Sequence, residues 1–119
     1  MINTNKTYED IIYRDDLFAL AEKHQDRFEL INLITREEDP TTRGANFFKG
    51  RPSTEFVSKY VDDPTTLRVY ACGAAITKYA KKKAKETGIP ATPRFMEGVA
   101  SILADLGVDK KRFKKEVYG

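Results

Sequence analysis

Apolar and polar positions alternate most clearly over Leu67–Cys72, where Leu67, Val69 and Ala71 oppose Arg68 and Tyr70. Such a run reads as a strand with two distinct faces. It stops at Cys72-Gly73, small residues follow at Ala74 and Ala75, and a helical pattern begins near Ile76. Phe28–Thr35 carries apolar residues on both faces: Phe28, Leu30 and Ile34 on one, Ile31 and Leu33 on the other. That pattern suits an inner strand covered on both sides. Leu67–Cys72 and Phe28–Ile34 are therefore expected as interior strands of one sheet. Ile2 within Met1–Thr4 marks the tail of another strand, and Arg112–Tyr118 makes a last one.

The helices follow from a different spacing. Leu17, Leu20, Ala21 and His24 recur at i, i+3, i+4, i+7, with Asp15 or Asp16 as N-cap and Ile11–Tyr13 as loop or early turn. Ser53 caps a short helix carrying Phe56, Val57, Tyr60 and Val61, which ends at Asp62-Asp63-Pro64. Ile76–Thr87 turns Ile76, Ala80 and Ala84 inward and is closed by Gly88. Thr92 caps a final helix with Pro93 at its first position, an apolar stripe of Phe95, Val99, Ile102, Leu103 and Leu106, and Gly107 as its stop. The stretch from Glu37 to Pro52, broken by Pro40, Gly44 and Gly50, reads as one long loop. Strands alternating with helices predict a three-layer α/β/α fold with a mostly parallel sheet.

Length and composition narrow this further. The 119 residues suffice for a single domain spanning the chain. Hydrophobic residues make up 40% and charged residues 33%, an ordinary globular balance. No apolar run approaches the ~20 residues that cross a bilayer, and the polar start lacks a signal-peptide core. One cysteine excludes an internal disulfide and makes the cytoplasm the expected compartment. A net charge of +3 points to no nucleic acid, and one histidine and one cysteine provide no metal-ligand spacing. Lys78, Lys81, Lys82, Lys83 and Lys85 are more often a solvated helix face than a docking surface for an acidic partner.

A strand, a small-residue turn and a helix together place ligands at the carboxyl edge of an open α/β sheet. Gly73 permits a sharp turn and the approach of a flat ring. Cys72 at the strand end is either the floor of a nucleotide pocket or, more commonly for such a residue, a buried core cysteine.

DIIYRDDL at Asp10–Leu17, ITRE at Ile34–Glu37 and VYACG at Val69–Gly73 occur in that order. Together they resemble the successive signatures of the pyridine-nucleotide domain of the ferredoxin–NADP reductase superfamily. The C-terminal GVDKKRFKKEVYG is similar to that domain's last helix–strand connection. The resemblance implies a Rossmann-like fold and a function: NAD(P)H binding within an FAD-dependent oxidoreductase that passes electrons through flavin to an acceptor. It places Thr35 and Arg36 near the adenosine ribose or its 2′-phosphate. Cys72, Gly73 and Ala74 fall beside the nicotinamide, with Cys72 as the catalytic candidate. Arg36 makes physical sense there, because a guanidinium grips phosphate with two hydrogen bonds. Lys6 and Arg14 are expected instead as surface cations paired with Glu37, Glu38 or Asp10.

The chain departs from that family in three places. The Gly-rich turn after the family's first strand has no counterpart, since the first glycine is Gly44. Ala74 stands where the family usually has proline, and a longer helix pair follows through TGIPATPRF. The chain thus reads as a domain lacking its first strand and Gly-rich turn, with FAD expected only on a separate domain that this chain does not contain. Alone it is expected to be inactive. The cofactor is NADH or NADPH, and the other partners are a flavin domain and an electron acceptor, with no membrane and no nucleic acid. An unpaired sheet edge also allows self-association. The alternative function is an α/β remnant or interaction domain that is not an enzyme and binds no nucleotide.

Overall fold

Asn5 at the end of one strand lies opposite Ile34 at the end of the next, and Ile34 lies opposite Lys49 on a third. In this computed structural model, which describes residues 1–118, strands β1 (Ile2–Asn5), β2 (Ile31–Ile34) and β3 (Phe47–Lys49) form a parallel sheet in that order. They belong to the first of two compact units, Met1–Pro52; the second begins at Ser53. Gly119, which ends the C-terminal segment quoted above, lies outside the described residues.

In the first unit all four residues of β2 are buried, as its two apolar faces predict, although the strand is shorter than Phe28–Thr35. Ile34 packs with Ile11 and Phe47, and Tyr8, Leu17 and Phe18 close over them. Each such side chain contributes on the order of 1.5–3 kcal/mol by leaving water. Helix α1 (Arg14–Lys23) corrects two expectations. Its cap is Tyr13, in the left-handed region at φ 54°, so Asp15 and Asp16 fall in the first turn, where they complement the helix dipole. Its core-facing residues are Leu17 and Phe18, while Leu20 is 43% exposed. Chain entry through buried Ile11 sets that rotation. The long loop expected between Glu37 and Pro52 contains β3 and a single turn of 3₁₀ helix at Pro40–Arg43. Three residues are too few for an alternating pattern to register, and β3 exists because the ladder of β2 pairs with it. Asn32 N–H donates to Asn46 O at 2.8 Å and Gly50 N–H to Ile34 O at 3.0 Å.

The second unit starts with α2 (Thr54–Ser58), capped as expected by Ser53, whose Oγ accepts from Phe56 N–H. Strand β4 (Val69–Ala74) pairs in parallel along its whole length with β5 (Phe113–Tyr118), from Val69 opposite Phe113 to Ala74 opposite Tyr118. Between them lie α3 (Lys78–Thr87) and α4 (Phe95–Asp105). Thr77 caps α3 through a bond from Ala80 N–H, and Gly88 ends it at φ 70°. Helix α4 begins at Phe95, beyond the expected Thr92 cap and Pro93, because Glu97 reaches back to Arg94 N–H and closes the first turn there. It buries Met96, Ile102 and Leu103, with Phe95 and Val99 half-buried.

Within each sheet every strand pair is parallel, and strands and helices alternate along the chain in the α/β, Rossmann-like arrangement expected. The expectation of a single sheet is corrected, because the strands hydrogen-bond as a three-stranded and a two-stranded sheet, with β2 in one and β4 in the other. Nor is β4 interior among the described residues, since its only ladder is with β5. Alternation over Leu67–Cys72 reports that a strand has two faces. It does not report how many neighbours the strand's edges find.

Candidate functional site

The parallel sheet of the first unit brings the carboxyl ends of β1, β2 and β3 side by side. The ladder continues past the strands: Thr35 N–H donates to Asn5 O at 3.0 Å and Arg36 N–H to Lys6 O at 2.8 Å. Thr35 and Arg36 thus sit on a fixed backbone at the end of β2. Thr35 is half-buried and its hydroxyl is 3.5 Å from Asn5 O. Arg36 is exposed, and among the described residues its guanidinium has no hydrogen-bond or ion-pair partner; the same holds for the ammonium of Lys6 beside it. Lys49, at the end of β3, donates from Nζ to Glu38 O at 3.1 Å.

Glu37 is already engaged. Its carboxylate accepts Tyr8 N–H at 2.8 Å and Arg43 Nε–H at 3.3 Å. The Tyr8 amide bond, with the Arg43 bond behind it, holds this carboxyl below its usual range. The Tyr8 ring lies between two guanidiniums, with Arg14 Cζ 4.3 Å and Arg43 Cζ 4.5 Å from its centroid. Arg14 also donates to Glu9 at 3.1 Å and lies 3.6 Å from Asp15. It is therefore a paired cation, though not with the carboxylates expected for it, and Lys6 has no pair among the described residues. Sequence reasoning missed Tyr8 and Arg43. Glu37 within ITRE was the available pointer, as a carboxylate next to a strand end that neighbouring donors would compete for.

Cys72, Gly73 and Ala74 are consecutive residues of β4, in the second unit. The strand runs through them, so Gly73 is not a turn residue. Cys72 is exposed, which corrects the buried-cysteine reading, and it lies opposite Glu116 of β5. Gly73 is buried, and a Cβ built on it would lie 2.2 Å from Cδ1 of Phe95. The room left by the missing side chain is filled by a ring of the protein itself, which lets α4 sit close on β4. The connection leaving β4 is held from α4. Ile76 N–H donates to Glu97 Oε1 at 3.0 Å, Arg94 N–H to Glu97 Oε2 at 3.0 Å, and Arg94 Nη1 to Ala75 O at 3.3 Å. The bonds from Ile76 N–H, the larger cause, and Arg94 N–H lower the Glu97 carboxyl's pKa. Glu97, an acidic residue in the first turn of the helix, was the sequence signal, since such a carboxylate can reach back to the amide that precedes the helix.

The structure therefore groups Thr35 with Arg36, and Cys72 with Gly73 and Ala74, in two different sheets. No cluster of three or more metal-ligating side chains occurs among the described residues. No described helix is long and apolar enough to cross a membrane.

The family profile described as Oxidoreductase NAD-binding domain matches residues 1–82 of the 119, a span that includes both residue groups. The chain belongs to that family. Neither a curated protein nor a solved structure matches it. As an oxidoreductase NAD-binding domain the chain has a nicotinamide nucleotide as its cofactor class. At the carboxyl edge of the first sheet, Arg36 and Lys6 are exposed cations without a side-chain partner among the described residues, and the carboxylate of Glu37, next to Arg36 in sequence, is taken by Tyr8 and Arg43.

Proposed function

We propose that this chain is the NAD(P)H-binding portion of an FAD-dependent oxidoreductase, with FAD on a separate domain and electrons passing through the flavin to an acceptor. The observation that carries the reading is the unpartnered Arg36 guanidinium at the carboxyl end of β2, in a member of the oxidoreductase NAD-binding family. Arg36 and Thr35 hold the adenosine end of the nucleotide; Cys72, Gly73 and Ala74 are the nicotinamide-side residues that the family resemblance implies. The hydride chemistry belongs to the nicotinamide and the flavin; the protein binds and orients. A charge-assisted hydrogen bond from Arg36 to a nucleotide phosphate contributes about 1.5–3 kcal/mol. A contact of that size supports millimolar binding at best, since a dissociation constant of ~1 mM already corresponds to about 4.1 kcal/mol.

An NMR titration of the chain with NADPH, NADH and 2′,5′-ADP tests this. The expected result is movement of the Thr35 and Arg36 amides at millimolar ligand, lost in Arg36→Ala. Shifts confined to Lys78–Lys85 would mean diffuse attraction to lysines and would refute the assignment. Absence of any shift would favour an interaction domain without nucleotide binding.

A further inference from the structure

Arg36 and Glu37 are neighbours of opposite charge at the end of β2, and the fold treats them differently. The Arg36 backbone is fixed by its N–H bond to Lys6 O at 2.8 Å, while its guanidinium has no partner among the described residues. The Glu37 carboxylate has both oxygens engaged: Oε1 accepts Tyr8 N–H at 2.8 Å and Oε2 accepts Arg43 Nε–H at 3.3 Å. With its pKa lowered first by the Tyr8 bond and then by Arg43, this carboxyl is charged at neutral pH.

Arg43 is itself held in place. It ends the 3₁₀ turn Pro40–Arg43, whose first residue is buried and whose start is capped by Asp39. Its guanidinium lies over the Tyr8 ring, 4.5 Å from the centroid. Arg14, on the same ring, is bonded to Glu9 instead, so among the described residues Arg43 is the one cation that meets the Glu37 charge. A carboxylate left unpaired beside Arg36 would act against a bound phosphate in two ways. It would repel the anion, and it would compete for the guanidinium that grips it. We propose that Arg43 is a positioning residue for the nucleotide site: by holding and neutralising the Glu37 carboxylate, it leaves the Arg36 guanidinium free for the nucleotide's phosphate. The inference rests on the reading of Arg36 as the phosphate-binding residue.

Amide-shift titration of the whole chain with 2′,5′-ADP at low salt tests it. For neighbouring side chains at a protein surface, one uncompensated charge changes an ion's binding by about three- to tenfold. Arg43→Gln is expected to weaken binding by that factor, and Arg43→Lys, which keeps the charge, to retain it. Glu37→Gln should bind at least as tightly as the original chain, and R43Q/E37Q should return to within about twofold of it. R43Q/D26N restores the same net charge at an exposed carboxylate in the turn that precedes β2, and should stay weak. Dispersion of the amide spectrum checks that each variant folds. If Arg36→Ala abolishes the shifts but Arg43→Gln binds like the original, the role of Arg43 alone is refuted. If R43Q/E37Q stays as weak as Arg43→Gln, Arg43 either touches the ligand itself or only supports the fold, and the proposal falls. Equal rescue by R43Q/D26N would mean diffuse attraction and would also overturn it. Should Arg43→Gln fail to fold, Glu37→Gln decides, since weaker binding there contradicts the proposal. If Arg36→Ala leaves the shifts intact, the reading of the site fails, and this proposal with it.

Discussion

Gly73 is the position where one added carbon tests the packing of the second unit. In Gly73→Ala the new Cβ would lie 2.2 Å from Phe95 Cδ1, 2.8 Å from Cε1 and 3.2 Å from Cγ. Carbon atoms pack at ~3.5–4.0 Å, so the ring or the helix must retreat by more than ~1 Å. Phe95 is the first residue of α4, and the start of the helix is tied to the β4 exit by the bonds from Ile76 N–H to Glu97 and from Arg94 Nη1 to Ala75 O, so the helix cannot retreat without straining both. Overpacking of this kind costs about 1–3 kcal/mol. Replacing glycine recovers roughly 0.5–1 kcal/mol of unfolded-chain entropy. With the overlap this deep the upper end applies, and the net loss is about 2 kcal/mol. At ~2.1 cal/mol/K per residue of unfolding entropy, a 119-residue chain then melts about 8 °C lower. The assay is a thermal or urea melt of four proteins: the original chain, Gly73→Ala, Phe95→Ala and the double variant. In the Phe95→Ala background the added methyl meets open space, so Gly73→Ala should be neutral or slightly stabilising there. The resulting coupling is about 2–3 kcal/mol. If Gly73→Ala costs as much without the ring as with it, Phe95 is not what requires the glycine.

Two further changes probe the first unit. Tyr13→Gly relieves a left-handed residue at the α1 N-cap, a conformation that costs a bulky residue roughly 1–2 kcal/mol, and should raise stability by ~0.5–1 kcal/mol in a urea melt; a lower midpoint would show that the exposed ring contributes packing. Glu37 has a lowered folded-state pKa, so its contribution is present above the usual carboxylate range and is lost as pH falls through the folded value. Glu37→Gln should therefore lower stability at neutral pH and converge with the original chain in acid, and parallel curves across that range would show that its charge is not involved.

The local chemistry of the chain determined much of what lies where. Ser53, Gly88 and Gly107 end or begin their helices because capping hydroxyls and left-handed glycines act within a single turn. The two apolar faces of Ile31–Ile34 were enough to identify a covered strand. The signatures DIIYRDDL, ITRE and VYACG pointed to the NAD-binding family, whose profile matches residues 1–82 and so spans all three. The tertiary structure decided everything that depends on what a side chain meets across the fold. Phe47–Lys49 becomes a strand only because β2 offers it a ladder. Tyr13 rather than Asp15 or Asp16 enters α1, since buried Ile11 fixes the direction of approach. The division of five parallel strands into two sheets, the exposure of Cys72 and the filling of Gly73's open side by Phe95 are likewise long-range outcomes. Alternation along a strand reports its two faces, whereas the neighbours at its edges and the ring against its glycine come from residues far along the chain.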